Sequence, residues 1–297
     1  GIYDITISGV FPALYYPNFA DDAQKITDVK QWGDIQWKSM NSMFRDAEHL
    51  SSWSAIDTPD LSQVTDISYM FRKAKSFNQD IGDWDVSNVT DMSFLFSRAW
   101  SFNQDIRDWD VSNVTNMEYL FQYARDFNRY IGNWDVSNVT DMSYMFYETD
   151  TFNRDISTKI INAGQSDEYT AWDVSSVTNM KNMFGGASTF NQDIGNWDVS
   201  SVTTMHGMFR ASSFNQDIST KTINTGPGQS TPYTAWDVYG VGDNMNRMFH
   251  YASNFNRDIS NWCVENIASN PTNFDVDAPI DGTSKAPQWG TTVPSCP

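Results

Sequence analysis

Apolar residues recur along this chain at a step longer than any helix or strand period. In FNQDIGDWDVSNVTDMSFLFSRAWS (77–101) they fall at Phe77, Ile81, Trp84, Val86, Val89, Met92, Leu95, Phe96 and Ala99. The pattern returns as FNQDIRDWDVSNVTNMEYLFQYARD (102–126) and FNRYIGNWDVSNVTDMSYMFYETDT (127–151), which sets Trp84, Trp109 and Trp134 25 residues apart. Such a period marks a solenoid, in which each coil buries its apolar face only against its neighbours.

Within one copy, Ile81 to Val86 reads as a short strand, with Trp84 and Val86 on one face and Asp83, Asp85 and Ser87 on the other. Thr90-Asp91 offers a helix N-cap, and Met92, Leu95, Phe96 and Ala99 have the i, i+3, i+4, i+7 spacing of a short amphipathic helix. The expected fold class is therefore an α/β repeat, one short parallel strand and one short helix per coil of ~25 residues, capped at both ends.

Residues 1–25 do not repeat and read as an N-terminal cap; 26–262 hold the repeats, about eight to nine coils; 263–297, with Pro271, Pro279, Pro287 and Pro294, read as a closing cap. The first coil is worn but keeps Val29, Trp32, Met40, Met43, Phe44 and Ala47. The second offers Ile56, Leu61, Val64, Ile67, Met70, Phe71 and Ala74, with Pro59 where Trp is expected. Two steps are long: Trp134 to Trp172 is 38 residues, and Trp197 to Trp236 is 39. The extra residues, near 157–171 and 219–235, read as paired short strands around Gly164 and around Gly226-Pro227-Gly228, two hairpins leaving the coil at one corner. Insertions in solenoids lie on the surface and often bind. Lys159, Tyr169, Lys221 and Tyr233 are the exposed candidates there.

Charge narrows the partners. A formal net charge of −18 argues against nucleic acid, whose phosphates need Lys and Arg. It also argues against an anionic membrane, and no apolar run reaches the ~20 residues of a span. An aromatic content of 15% is not that of a disordered chain. The two cysteines, Cys263 and Cys296, are expected to form a disulfide stapling the closing cap, worth ~3–4 kcal/mol in the chain-entropy picture.

One carboxylate column, Asp85, Asp110, Asp135, Asp173, Asp198 and Asp237, would stack into a file. It is a candidate for Ca²⁺ or a cationic partner, or else each Asp accepts hydrogen bonds from its own turn. A second file begins with Asp80 and Asp105. Beside it Asn78, Asn103, Asn128, Asn153, Asn191, Asn215 and Asn256 suggest a stacked amide ladder. Asn88, Asn113 and Asn138 each begin an N-V-T sequon generated by the repeat itself. His49, His206 and His250 share no column, and no nucleophile–base arrangement is legible, so no catalysis is expected.

With FNQDI followed by WDVSNVTDMSYMF recurring in register from about Ile26 to Trp262, the chain resembles the BspA-like leucine-rich repeat surface proteins of bacteria. That resemblance implies a right-handed, leucine-rich-repeat-like solenoid. It also implies a secreted or surface-anchored, non-enzymatic protein that adheres to a protein or glycan ligand on another cell or matrix. The competing expectations are a self-associating subunit of an extracellular fibre, surface layer or virion appendage, and a Ca²⁺-dependent carbohydrate-binding module.

Overall fold

The computed structural model describes residues 22–224, 232–242 and 244–291. The coils stack, but turns build them. The expected α/β coil of a leucine-rich-repeat-like solenoid is overturned: none of the described coils contains an α-helix, and its strands are few and short. β1 (Asp28–Val29) pairs in parallel with β2 (Ser52–Trp53). β3 (Lys159–Ile161) with β4 (Tyr169–Ala171), and β5 (Lys221–Ile223) with β6 (Tyr233–Ala235), are antiparallel hairpins. Between them, neighbouring coils meet through single parallel bridges running Asp66–Asp91–Asn116–Asp141–Asn179–Thr204. This column sits where the pattern pointed to a helix N-cap.

The destination of the backbone N–H groups explains the difference. Alternate donors reach the next coil: Met92 to Asn116 O (3.1 Å), Phe94 to Glu118 O (2.8 Å), Phe96 to Leu120 O (3.0 Å) and Arg98 to Gln122 O (2.7 Å). The intervening donors close turns three residues back: Leu95 to Met92 O (3.2 Å), Ser97 to Phe94 O (3.1 Å) and Ala99 to Phe96 O (3.0 Å). Phe94 and Arg98 are third in their turns, with φ of 58° and 62°, the type II pattern and incompatible with a helix. A ladder of such turns puts residues i, i+3, i+4 and i+7 on one inner side just as a helix does. The predicted strand is likewise a pair of turns, closed by Trp84 N–H on Ile81 O (3.2 Å) and Val89 N–H on Val86 O (2.9 Å).

The core runs unbroken through the stack. Ile81, Trp84, Val86, Val89, Met92, Leu95, Phe96, Ala99 and Phe102 are each at most 5% exposed. Phe71, Phe96, Phe121 and Phe146 stack with centroids 5.7–5.8 Å apart, and Phe77, Phe102, Phe127 and Phe152 form a second file at 5.9–6.0 Å. From Trp109 onward the indole N–H of each repeat finds the coil before it: Trp109 Nε1 donates to Ile81 O (3.1 Å), Trp134 Nε1 to Ile106 O (3.2 Å). Ile56, assigned to the core from its sequence position, is fully exposed.

Polar side chains stitch the corners. The Asn78 side-chain oxygen accepts from Asn103 N–H (2.9 Å), Asn103 from Asn128 (3.1 Å) and Asn128 from Asn153 (3.2 Å). Thr90, Thr115 and Thr140 each donate a hydroxyl to the carbonyl of the preceding Thr in the column, at 3.2 Å. Sequon residues Asn113 and Asn138 join in, donating to Ser87 O (2.8 Å) and Ser112 O (2.7 Å).

The hairpins loop out without disturbing this register. Trp172 N–H still meets Trp134 O (3.1 Å), and Thr178 N–H meets Thr140 O (2.9 Å), across a 38-residue step. The base of each hairpin is closed by a threonine, Thr158 on Trp172 O (2.8 Å) and Thr220 on Trp236 O (3.0 Å). Beyond the last repeat the ladder continues: Arg247 N–H meets Thr272 O (3.0 Å) and Phe249 N–H meets Phe274 O (2.7 Å). Cys263 is buried, while Cys296 and most of the expected N-terminal cap lie outside the described residues.

Because Trp109 combines full packing with a buried inter-coil hydrogen bond, Trp109→Ala should destabilise by ~3–5 kcal/mol in chemical denaturation. Asp110→Ala, at an exposed corner, removes two solvent-exposed turn hydrogen bonds from Ser112 and should cost only ~1–2 kcal/mol. Equal large losses would show that the Asp file holds the coils together as much as the core does.

Candidate functional site

The Asp column belongs to the scaffold. Asp85, Asp110 and Asp135 each accept from the N–H and hydroxyl of the serine two residues on, at 3.1 and 2.6 Å in the first coil. Asp198 does the same with Ser200, and Asp173 and Asp237 accept the N–H of Ser175 and Tyr239. The second file behaves alike: Asp80 caps Gly82, Asp105 caps Arg107 and Asp258 caps Ser260. Among the described residues no three His, Cys, Asp or Glu side chains converge as a metal site requires.

The hairpin residues are tied down as well. Lys159 Nζ donates to the Tyr130 hydroxyl (2.8 Å) and to Asp155 (3.2 Å). The Tyr169 and Tyr233 hydroxyls donate to the carbonyls of Asn133 (2.6 Å) and Asn196 (2.5 Å) in the coils before them. The Lys221 ammonium lies beside Gly195 and Asp217. These four side chains pin each hairpin to its neighbour coil.

A different face carries the diversity. After the near-constant WDVSNVT, these coils read [M/I]-x-x-[M/L]-F-x-x, and the four x positions change from coil to coil: SY…RK (68–73), SF…SR (93–98), EY…QY (118–123), SY…YE (143–148), KN…GG (181–186), HG…RA (206–211) and NR…HY (246–251). In each pair the second residue has φ near +60°, from Tyr69 and Lys73 through Arg247 and Tyr251. Glycine or asparagine suits that geometry, whereas other side chains cost ~1–2 kcal/mol there. Only Asn182, Gly186 and Gly207 take the easy choice. Tyr, Phe, Lys, Arg and Glu occupy most of the rest, so neither turn geometry nor core packing selects them. Superposing the copies and marking where they disagree would have found this face from the sequence.

Its first half is an aromatic ridge. Tyr69, Phe94, Tyr119 and Tyr144 stack at 4.5, 4.3 and 4.4 Å with ring planes within 14°. The Arg45 guanidinium lies over Tyr69 at one end (5.5 Å), and the Lys181 ammonium lies over Tyr144 at the other (5.6 Å). Stacked and cation-capped rings contribute ~0.5–1.5 kcal/mol per pair, which offsets part of the backbone cost. Burial, and then the neighbouring Tyr144, push the Tyr119 phenol above its ordinary range. Burial, with Asp141 and Asp91 beside it, raises the Glu118 carboxyl. In the second half, burial and then Lys181, Arg247 and Arg210 hold His206 below its ordinary value, and burial with Arg210 and Arg247 does so for His250.

Two outcomes follow from this division between scaffold and face. Arg98→Asn, at φ 62°, should raise stability by up to ~1 kcal/mol in thermal or urea unfolding, because Asn accepts that conformation readily. The scaffold carboxylates set an acid limb. The Ser87 hydroxyl and then its N–H hold Asp85 below the usual carboxylate range, and Ser260 does the same for Asp258. Such a group stabilises the fold above the ordinary carboxylate pKa and loses that contribution as pH falls through its depressed folded value. Glu118 and Asp275, both raised, act in the opposite sense, so wild type must be compared with a variant. In Ser87→Ala/Ser260→Ala the drop in Tm between pH 7 and about pH 2–3 should be smaller than in wild type. An unchanged drop would remove these caps from the acid response.

Residues 38–159 and 161–279, about four fifths of the chain, match the family model described as "Mycoplasma protein of unknown function, DUF285". No curated protein and no solved structure matches the chain. On the extent of the family match, in two consecutive stretches that take in the repeats and the variable face, the chain belongs to the DUF285 family.

Proposed function

We propose that this protein is a non-enzymatic, extracellular binding protein that adheres to a protein or glycan on another cell or matrix through its variable turn face. The observation that carries the reading is the concentration of residue diversity on the turn face, where two of the four variable positions per coil have positive φ and are mostly filled by side chains that this backbone disfavours. A scaffold that merely needed to fold would place Gly or Asn there. The composition of the face agrees: tyrosines and arginines are the residues that dominate binding energy at interfaces. The resemblance of the repeat to the BspA-like bacterial surface proteins points the same way and adds a surface location. Among the described residues no helix is long and apolar enough to cross a membrane.

Adhesion of protein-coated beads to cells or matrix-coated wells tests this. Tyr119→Ala/Tyr144→Ala should reduce bead binding about tenfold, the effect of losing ~1.4 kcal/mol. Asp110→Ala, away from the face, should bind as wild type does. Equal adhesion by the two variants would overturn the reading. Long ordered polymers of the purified protein in electron microscopy would favour a structural subunit instead.

A further inference from the structure

We infer that the second half of the turn face, centred on Arg210, docks a linear acidic polysaccharide, with Lys181, Arg210 and Arg247 receiving its sulfate or carboxylate groups. The inference rests on the reading of this face as a binding surface and names the ligand chemistry of one part of it.

Charge is the first support. The chain carries a net −18, yet three cations gather here on consecutive coils around His206 and His250. The backbone ladder sets them side by side: Asn182 N–H meets His206 O (2.8 Å), Gly186 N–H meets Arg210 O (2.7 Å) and Ala211 N–H meets His250 O (2.9 Å). In the first half of the face Lys73 pairs with Asp46 (2.9 Å), and just beside the face Lys75 pairs with Glu48 (2.8 Å) and Arg125 with Asp150 (3.8 Å), while Arg72 and Arg98 lie over the Tyr69, Phe94 and Tyr123 rings. Lys181, Arg210 and Arg247 have no carboxylate within ion-pair distance among the described residues. Arg210 Nε and His250 Nδ1 are buried without a hydrogen-bond partner. The nearest carboxylates, Glu118 toward Lys181 and Asp277 toward His250, act from beyond ion-pair distance, so the repulsion among the cations is only partly offset and an anionic ligand relieves the rest.

Relief and backbone chemistry select the ligand. Positions filled by Tyr144, Tyr147 and Glu148 in one coil are Asn182, Gly185 and Gly186 in the next, so the ridge steps down beside the cations. Tyr144 and Tyr147 flank the step on one side; on the other stands Tyr251, 51% exposed and stacked on His250 at 3.9 Å. Rings and hydroxyls beside cations suit a charged sugar, whose C–H faces lie on rings. An acidic peptide has less to hold. The N–H groups along this face already reach the next coil, so no open edge is left for an added strand. Coils at strand-like spacing place the three cations over about 10 Å, a short run of a sugar chain. Nucleic acid and lipid bilayers present dense negative charge over far larger areas, where a −18 protein is repelled.

The test uses the whole protein with heparin (sulfate and carboxylate), hyaluronan (carboxylate alone), neutral dextran, duplex DNA and phosphatidylserine vesicles. Binding of heparin or hyaluronan, weakening with salt and absent for dextran, is the expected result; which of the two binds identifies the anion. Arg210→Ala/Arg247→Ala should weaken that binding at least tenfold, whereas Lys75→Ala/Arg125→Ala should change it less than twofold, with thermal melts confirming that both are folded. Failure to bind either polysaccharide, equal binding of DNA or vesicles, or equal effects of the two variants overturns the inference. A protein that ignores both polysaccharides yet loses adhesion on Tyr119→Ala/Tyr144→Ala would sink this assignment and leave the adhesive reading standing.

Discussion

Everything in this molecule depends on the need of each coil's outward N–H groups for carbonyls on the next coil. Met92, Phe94, Phe96 and Arg98 have no acceptors of their own within the coil; the following coil provides them at 2.7–3.1 Å. A single coil would leave these groups to water and its apolar side open, so it cannot stand alone. The indole, Thr and Asn files repeat the same demand in side-chain form. Identical neighbours satisfy it best, which is why WDVSNVT scarcely changes along the array.

The same constraint creates the opportunity for binding. Sending alternate N–H groups along the stack requires turns, and those turns place two residues per coil at positive φ with side chains outside the core. A helix in their place would have offered one exposed stripe at no backbone cost. Here the stripe is strained, and its occupants are retained in spite of that strain. The polar corners show the opposite economy: Asp85 and Asp110 are constant and chemically conspicuous, yet their oxygens serve the next turn.

What the sequence revealed, and what it hid, follows from one ambiguity. The repeat step, the buried columns at Trp84, Met92 and Phe96, the amide ladder and both hairpin strand pairs could be read directly, because burial and looping-out depend only on which residues recur. The conformation of Met92 to Ala99 could not, since i, i+3, i+4, i+7 spacing describes a helix and a ladder of alternating turns equally well. The distinguishing sign, positive φ at Phe94 and Arg98, is invisible when Phe and Arg fill places usually marked by Gly. The variable face was hidden for the same reason: its residues were absorbed into a helix that does not form. Ile56 was misplaced, and the anchoring of the hairpin side chains missed, more simply, since exposure of one residue and the reach of a Lys or Tyr to a neighbouring coil are not written in a local pattern.

The inter-coil hydrogen bonds also define a mechanical axis. They run along the stack, so tension applied along it loads the coils in series, and the weakest junction opens first. Each regular coil released pays out 25 residues, roughly 85 Å of extended chain, while the remaining coils keep their ladders. Under pull, such an array lengthens in steps and dissipates work at each one instead of failing as a unit.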